Sequence, residues 1–134
     1  MKIFDCCMYF DEDVILDVRL NTLSEQVDYF VIVESKFTHK GEERKLKFDL
    51  KNFDKFKDRI IYKVYDNESN LIESINESDT KFEKSSKYIS NAIYRENGQR
   101  NFIIEGLNNA EDEDYILVSD VDEIPNLKQI NLRN

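Results

Sequence analysis

Four short apolar runs divide this chain, and polar or helical stretches separate them. Each run is rich in Ile, Val, Phe and Tyr and has the length of a buried strand. The runs cover residues 2–9, 29–33, 59–64 and 115–118. After the first run, a stripe at helical spacing predicts an amphipathic helix that Asp11 or Asp13 caps, with Arg19 away from the stripe. The stripe consists of Leu16, Leu20, Leu23 and Val27.

Two further helical segments lie between the later runs. Phe53 and Phe56, with Leu50 before them, predict a short helix with an aromatic face. Residues 85–109 predict a long helix in which Gly98 marks a break or a close approach. Its apolar face comprises Ile89, Ile93, Ile103 and Leu107. The polar stretch 66–84 is expected to be a mobile loop.

Strands that alternate with helices predict an α/β fold with a mainly parallel sheet and flanking helices. With 134 residues, the chain suits one domain, 1–134. It contains only three Gly and one Pro, which argues against a turn-dense all-β fold.

Acidic residues follow the fourth strand directly. Asp120 and Asp122 are two positions apart and would point to the same side of an extended backbone. Carboxylate oxygens on one side can hold a hard divalent cation, and ligands of open α/β sheets bind at this end of the strands. The alternative is that these carboxylates are only solvated.

Charge and cysteine content narrow the function classes. A net charge of −9 argues against nucleic acid as a partner, since phosphate binding needs a positive surface. The basic stretch 36–63 is interpreted as a solvated face, with contact to an anionic ligand as the alternative. Adjacent Cys6 and Cys7 predict buried thiols in a reducing compartment. No membrane segment or signal peptide is evident, so a cytoplasmic location is expected.

Several common chemistries lack their motifs here. No glycine-rich dinucleotide or phosphate-binding loop follows a strand, and no Ser, Cys and His set suits nucleophilic catalysis. No Cys/His spacing suits zinc. A phosphohydrolase of the haloacid dehalogenase kind also has Asp-x-Asp after a strand, but after its first strand, whereas here the motif follows the fourth.

Four segments together resemble glycosyltransferase family 17, the β-1,4-mannosyl-glycoprotein β-1,4-N-acetylglucosaminyltransferases and their relatives. In chain order, they are KIFDC with MYF from Lys2, VDYFVIVE from Val27, YRE with QRN from Tyr94, and SDVDEIP from Ser119. The resemblance implies a Rossmann-like GT-A fold and an inverting, metal-dependent transferase. It also implies a UDP-sugar donor, with UDP-GlcNAc as the expected one, a glycan acceptor, and Mn²⁺ or Mg²⁺ as cofactor.

The resemblance also suggests roles for individual residues. Asp122 would bind the metal directly, and Asp120 would contact the metal through water or the donor ribose. Arg95 and Arg100 could pair with phosphate, or could only form salt bridges on the helix surface. Asp5 and Glu34 could contact the uridine or ribose of the donor. The alternative is that both carboxylates only form buried structural hydrogen bonds.

Family members continue beyond the motif, whereas this sequence stops at Asn134, so a fold truncated after Asp-x-Asp is expected. The general base that an inverting transferase needs remains unassigned. An alternative function is a non-catalytic nucleotide-sugar-binding module. A partner chain could supply the acceptor half.

Overall fold

A four-stranded parallel sheet forms the centre of the protein, as seen in a computed structural model that describes residues 1–133. The strand order is β3-β2-β1-β4. The strands are β1 Ile3–Tyr9, β2 Tyr29–Ser35, β3 Ile60–Tyr65 and β4 Tyr115–Val118. The helices are α1 Asp13–Leu23 and α2 Lys81–Asn101, with 3-10 turns at Leu50–Phe56, Phe102–Gly106 and Leu127–Gln129. The α/β, Rossmann-like arrangement predicted from the sequence is confirmed.

The two central strands, β1 and β2, are covered on both faces, which explains their nearly continuous apolar sequences. Cys7 belongs to the core on the α1 side, and Cys6 belongs to the core on the opposite side. Both thiols are free and buried, as predicted. Burial raises the pKa of each thiol to about 12, so both stay protonated at neutral pH.

The prediction that residues 115–118 are buried is wrong. Tyr115, Ile116 and Val118 are 42%, 39% and 50% exposed. β4 pairs only with β1 and forms an edge of the sheet within residues 1–133. Because no second strand or helix of the described residues covers this edge, its apolar side chains remain in contact with solvent.

Helix α1 begins differently from the prediction, since neither Asp11 nor Asp13 caps it. Glu12 occupies the N-cap position, and its carboxylate accepts hydrogen bonds from the N–H groups of Phe10 and Asp11. The predicted stripe is buried. Arg19 was expected to lie away from that stripe, but it is fully buried. It lies three residues after Leu16, and such positions share one helix face.

Helix α2 is shifted and turned relative to the prediction. It begins at Lys81 with a capping box from Thr80 and ends at Asn101. Ile103 is buried as predicted, but Ile89 and Ile93 are 63% and 50% exposed, so the predicted apolar face is wrong over most of the helix. The inward side chains are instead polar: Asn91, Arg95 and Gln99.

Polar groups are buried on α2 because the helix packs against backbone carbonyls. The Gln99 amide donates to the Val33 carbonyl over 3.0 Å, at the end of β2. Gly98 marks the close approach that the sequence suggested. A Cβ atom at Gly98 would lie 2.3 Å from the Tyr65 hydroxyl oxygen.

The polar segment before α2 has no helix or strand over residues 66–80, and the helix then occupies the last four residues of the predicted loop, 81–84. The Asn91 side-chain amide holds this segment at Glu73, because it accepts a hydrogen bond from the Glu73 N–H and donates one to the Glu73 carbonyl. The mobility of this loop stays a prediction. Over residues 1–133, no helix combines the length and apolar character needed to cross a membrane.

Candidate active site

The loop after β4 carries the carboxylates that the sequence singled out. Residues 121 and 122 form a turn, so the expectation of two aspartates on one side of an extended backbone is wrong. The Glu123 N–H donates to the Asp120 carbonyl over 2.9 Å, and the Glu123 carboxylate accepts from the Asp120 N–H at 3.1 Å. Glu123 therefore closes the loop, while the Asp120 and Asp122 side chains stay exposed.

Asp120 and Asp122 nevertheless line one cavity of about 420 Å³. This volume falls in the range of roughly 300–1,000 Å³ that is usual for ligand sites. The cavity lies at the carboxyl ends of the parallel strands, where open α/β sheets bind ligands. Its other lining residues come from β1 and the segment after it, from α1, from the loops after β2 and β4, and from α2: Met8, Phe10, Glu12, Ile15, His39, Glu96 and Val121.

The two aspartates fit a cation that shares its coordination with a substrate. Within residues 1–133, no group of three or more His, Cys, Asp or Glu is arranged to hold a metal ion. Mg²⁺ is usually bound by one or two carboxylates together with substrate phosphates and water, and Mn²⁺ also prefers oxygen ligands. The donor set therefore suits a metal–phosphate complex better than an ion enclosed by protein ligands alone.

Arg100 is the predicted phosphate ligand that the structure brings beside Asp120. Its Nη2 lies 3.6 Å from Asp120 Oδ1 and 3.1 Å from Glu96 Oε1. The Arg100 side chain is 38% exposed. The surface salt bridge that the sequence offered as an alternative is therefore present as well, with Glu96 as the partner.

Arg95 is placed elsewhere, against the loop that follows β2. Its Nε donates to Glu68 Oε1 over 2.7 Å, and its Nη1 donates to the His39 carbonyl over 3.0 Å. A Cβ atom on Gly41, which has a φ of 88°, would lie 2.3 Å from Arg95 Nη2. Arg95 thus supports this loop, and its contact with phosphate stays a prediction.

Asp5 and Glu34 are both buried and paired. Asp5 lies within β1, 1% exposed, and both of its oxygens accept from Arg19. Glu34 is fully buried near the end of β2 and forms an ion pair with Arg44 at 2.8 Å. Its other donors are the Tyr62 hydroxyl and the N–H groups of Lys47 and Phe48. These contacts are the structural hydrogen bonding considered above, and contact of either carboxylate with a donor stays a prediction.

Arg19 is the residue of the site that sequence reasoning missed. Its guanidinium donates to Asp5 and also to the loop that carries the aspartates. Burial lowers the pKa of this guanidinium, but the hydrogen bonds and charge of Asp5 more than offset that effect and raise the pKa overall. Its spacing from Leu16 and Leu23 was the available signal, because it places Arg19 on the buried face of α1.

Phe10 also escaped the sequence reasoning. It follows β1, lines the cavity beside the aspartates, and packs edge-on against His39 with ring centroids 5.3 Å apart. The Arg44 guanidinium lies 5.3 Å from the Phe10 ring centroid. His39 itself is exposed. The cavity therefore has an aromatic wall as well as an acidic one.

Comparison with models of protein families gives a match over the full length of this sequence. The family model described as glycosyltransferase family 17 matches residues 1–134, which is the entire chain. The match therefore includes β1, β2, α2 and the loop with Asp120 and Asp122. No curated protein and no solved structure matches this chain.

Proposed function

This chain belongs to glycosyltransferase family 17, and from that premise we propose that it transfers a sugar from a UDP-sugar to a glycan acceptor with Mn²⁺ or Mg²⁺. Membership of the family makes it a glycosyltransferase with a donor and an acceptor substrate. We take UDP-GlcNAc as the donor, and inversion as the stereochemical course, from the family resemblance.

The observation that carries the proposal is the position of Asp120, Asp122 and Arg100. Both aspartates line the same cavity, and Arg100 reaches within 3.6 Å of Asp120. A diphosphate and its metal ion need carboxylates for the cation and a guanidinium for the phosphate oxygens. The carboxylates come from the loop after β4, and the guanidinium comes from α2, at least 20 residues earlier in the sequence.

The aspartates differ in what surrounds them, and this difference supports separate roles for them. Within residues 1–133, Asp122 makes no ion pair or side-chain hydrogen bond, so its carboxylate is free to bind the metal directly. Asp120 shares its charge with Arg100 and is better suited to a water-mediated or ribose contact. When bound, the metal ion would neutralise the negative charge that develops on the leaving diphosphate.

Calorimetric titration of UDP tests this donor site. We expect saturable binding by the wild type in Mn²⁺, and no binding in EDTA. Asp122→Ala should lose the metal-dependent binding because it removes the direct ligand. Asp112→Ala is the matched control, since it deletes an exposed carboxylate in the loop before β4 and should bind as the wild type does.

A folded wild type that binds no UDP in Mn²⁺ would contradict the proposal, as would equal binding by Asp122→Ala. Release of UDP from UDP-GlcNAc, with and without glycan acceptors, then separates a transferase from the alternative. A chain that binds the donor but releases no UDP with any acceptor would be the non-catalytic module.

A further inference from the structure

We infer that the buried Asp5–Arg19 pair positions the loop of Asp120 and Asp122, and so sets the affinity of the site for its divalent cation. This inference rests on the proposed function. It gives Asp5 and Arg19 a role through the loop backbone rather than through contact with the donor.

The Arg19 guanidinium joins three parts of the chain. Its Nε and Nη2 donate to the two oxygens of Asp5 over 2.8 and 2.7 Å. Nη2 also donates to the Ser119 hydroxyl over 2.6 Å. Nη1 points into the loop, where it meets the carbonyls of Asp120 at 2.7 Å and Glu123 at 2.9 Å, with Val121 at 3.4 Å.

These contacts fix the peptide groups on both sides of Asp122. The Asp120 and Val121 carbonyls orient the two peptide groups before it. The Glu123 N–H, bound to the Asp120 carbonyl, orients the peptide group after it. With these peptide groups held, the direction in which the Asp122 side chain leaves the backbone is set, although nothing holds its carboxylate directly.

Asp5 completes the arrangement electrostatically. Arg19 is fully buried, and an unpaired guanidinium behind the loop would repel a divalent cation at the aspartates. The bidentate pair with Asp5 cancels that charge while leaving Nη1 free to bind the loop carbonyls. Lysine could keep the charge, but it lacks the planar set of donors that reaches Asp5 and the loop together.

Arg19→Lys and Asp5→Asn test the role through Mn²⁺ binding in the presence of UDP, measured from the electron paramagnetic resonance signal of free Mn²⁺. We expect each variant to bind Mn²⁺ at least about tenfold more weakly, since losing a partner behind a metal ligand commonly costs about 10- to 100-fold. Hydrogen exchange of the metal-free protein should also be faster at the amides of residues 119–124 in Arg19→Lys.

Arg59→Lys is the matched control. Arg59 also donates to two backbone carbonyls, those of Ser24 and Val27, at 2.9 and 2.8 Å. It lies just before β3, at the opposite edge of the sheet from the aspartates. We expect Arg59→Lys to bind Mn²⁺ with wild-type affinity even where its stability is lower, so a general loss of stability is separated from positioning.

A folded Arg19→Lys protein with wild-type Mn²⁺ affinity would overturn the inference and leave the proposed function standing. A wild type that takes up no Mn²⁺ with UDP would overturn both. If Arg19→Lys does not fold, Ser119→Ala decides, because it removes one Arg19 contact and the 2.9 Å bond from the Ser119 hydroxyl to the Glu123 carbonyl. Unchanged affinity in Ser119→Ala would then count against the inference.

Discussion

Buried charged residues in this protein serve to join segments that are distant in sequence. The Asp5–Arg19 pair joins β1 to α1 and to the loop after β4. The Glu34–Arg44 pair joins β2 to the loop that follows it. Removing one partner of such a pair costs about 3–5 kcal/mol, because the other charge is left buried and uncompensated. Charged residues here therefore place the loops around the cavity, while the apolar core holds the sheet.

Asp114 has a similar joining role where β4 starts, and it predicts a pH dependence of stability. Its carboxylate accepts from the N–H groups of Lys2 and Glu111 over 2.7 and 2.8 Å. These bonds, the Lys2 bond first, lower the pKa of Asp114 in the folded protein from 3.8. Because the folded pKa lies below the unfolded one, this stabilisation is present above the unfolded pKa and is lost as pH falls through the folded value.

Asp114→Asn should therefore lower the free energy of unfolding at neutral pH and reduce its fall on acidification. Urea unfolding at about pH 6 and about pH 3 measures both effects through the linkage of protonation to folding. Asp112→Asn in the same loop serves as the control for loss of a surface charge. If the wild type and Asp114→Asn lose stability in parallel on acidification, Asp114 does not have this role.

Among the elements, α2 shows how packing can reverse an apparent amphipathic face. Its inward side chains bind backbone: Asn91 holds Glu73, Arg95 holds the His39 carbonyl, and Gln99 reaches the ends of the strands. Buried carbonyl groups need donors, and leaving one without a partner costs about 1–3 kcal/mol. A polar face on α2 therefore satisfies the strand ends that border the cavity, and isoleucines are left outside.

This arrangement predicts effects of different size from two substitutions on α2. Gln99→Ala should lower the free energy of unfolding by about 1–3 kcal/mol, since the Val33 carbonyl loses its buried donor. Ile93→Gln should change it by no more than about 0.5 kcal/mol, as is usual for exposed positions. Urea unfolding followed by circular dichroism compares them. A larger loss from Ile93→Gln than from Gln99→Ala would contradict the observed orientation of the helix.

On the scale of the whole molecule, the cavity depends on the complete sheet. Its lining residues lie in β1, follow β1, β2 and β4, or lie on α1 and α2, so no single segment contains the site. The net charge of −9 makes the molecule as a whole attractive to cations and unattractive to free anions. The proposed nucleotide donor would therefore be repelled less by this charge when a divalent cation accompanies it.

Because ligands that bind only the folded state stabilise it, donor binding should raise the stability of the entire chain. At about 100 times the dissociation constant, UDP with Mn²⁺ should add about 2.7 kcal/mol to the free energy of unfolding of the wild type. The midpoint of thermal unfolding reports this gain. Asp122→Ala should show no such shift, and an equal shift in both proteins would place the binding away from Asp122.

The sequence by itself was sufficient for much of this description. The apolar runs and the helical stripe predicted the four strands, their alternation with helices and the parallel sheet, because local hydrophobic patterns reflect how strands and helices bury apolar groups. The resemblance based on four segments identified the family, which the family model confirms. The sequence also placed Asp120 and Asp122 at the strand end that lines the cavity.

Only the tertiary structure decided what each candidate contacts. It buried Arg19 against the loop, turned the isoleucines of α2 outward, left β4 exposed, and placed Arg100 rather than Arg95 beside the aspartates. The physical reason is that periodicity shows which residues share a face but not what that face meets. Where a helix meets strand-end carbonyls or a carboxylate instead of apolar side chains, polar residues become the buried ones, and that depends on contacts between distant parts of the chain.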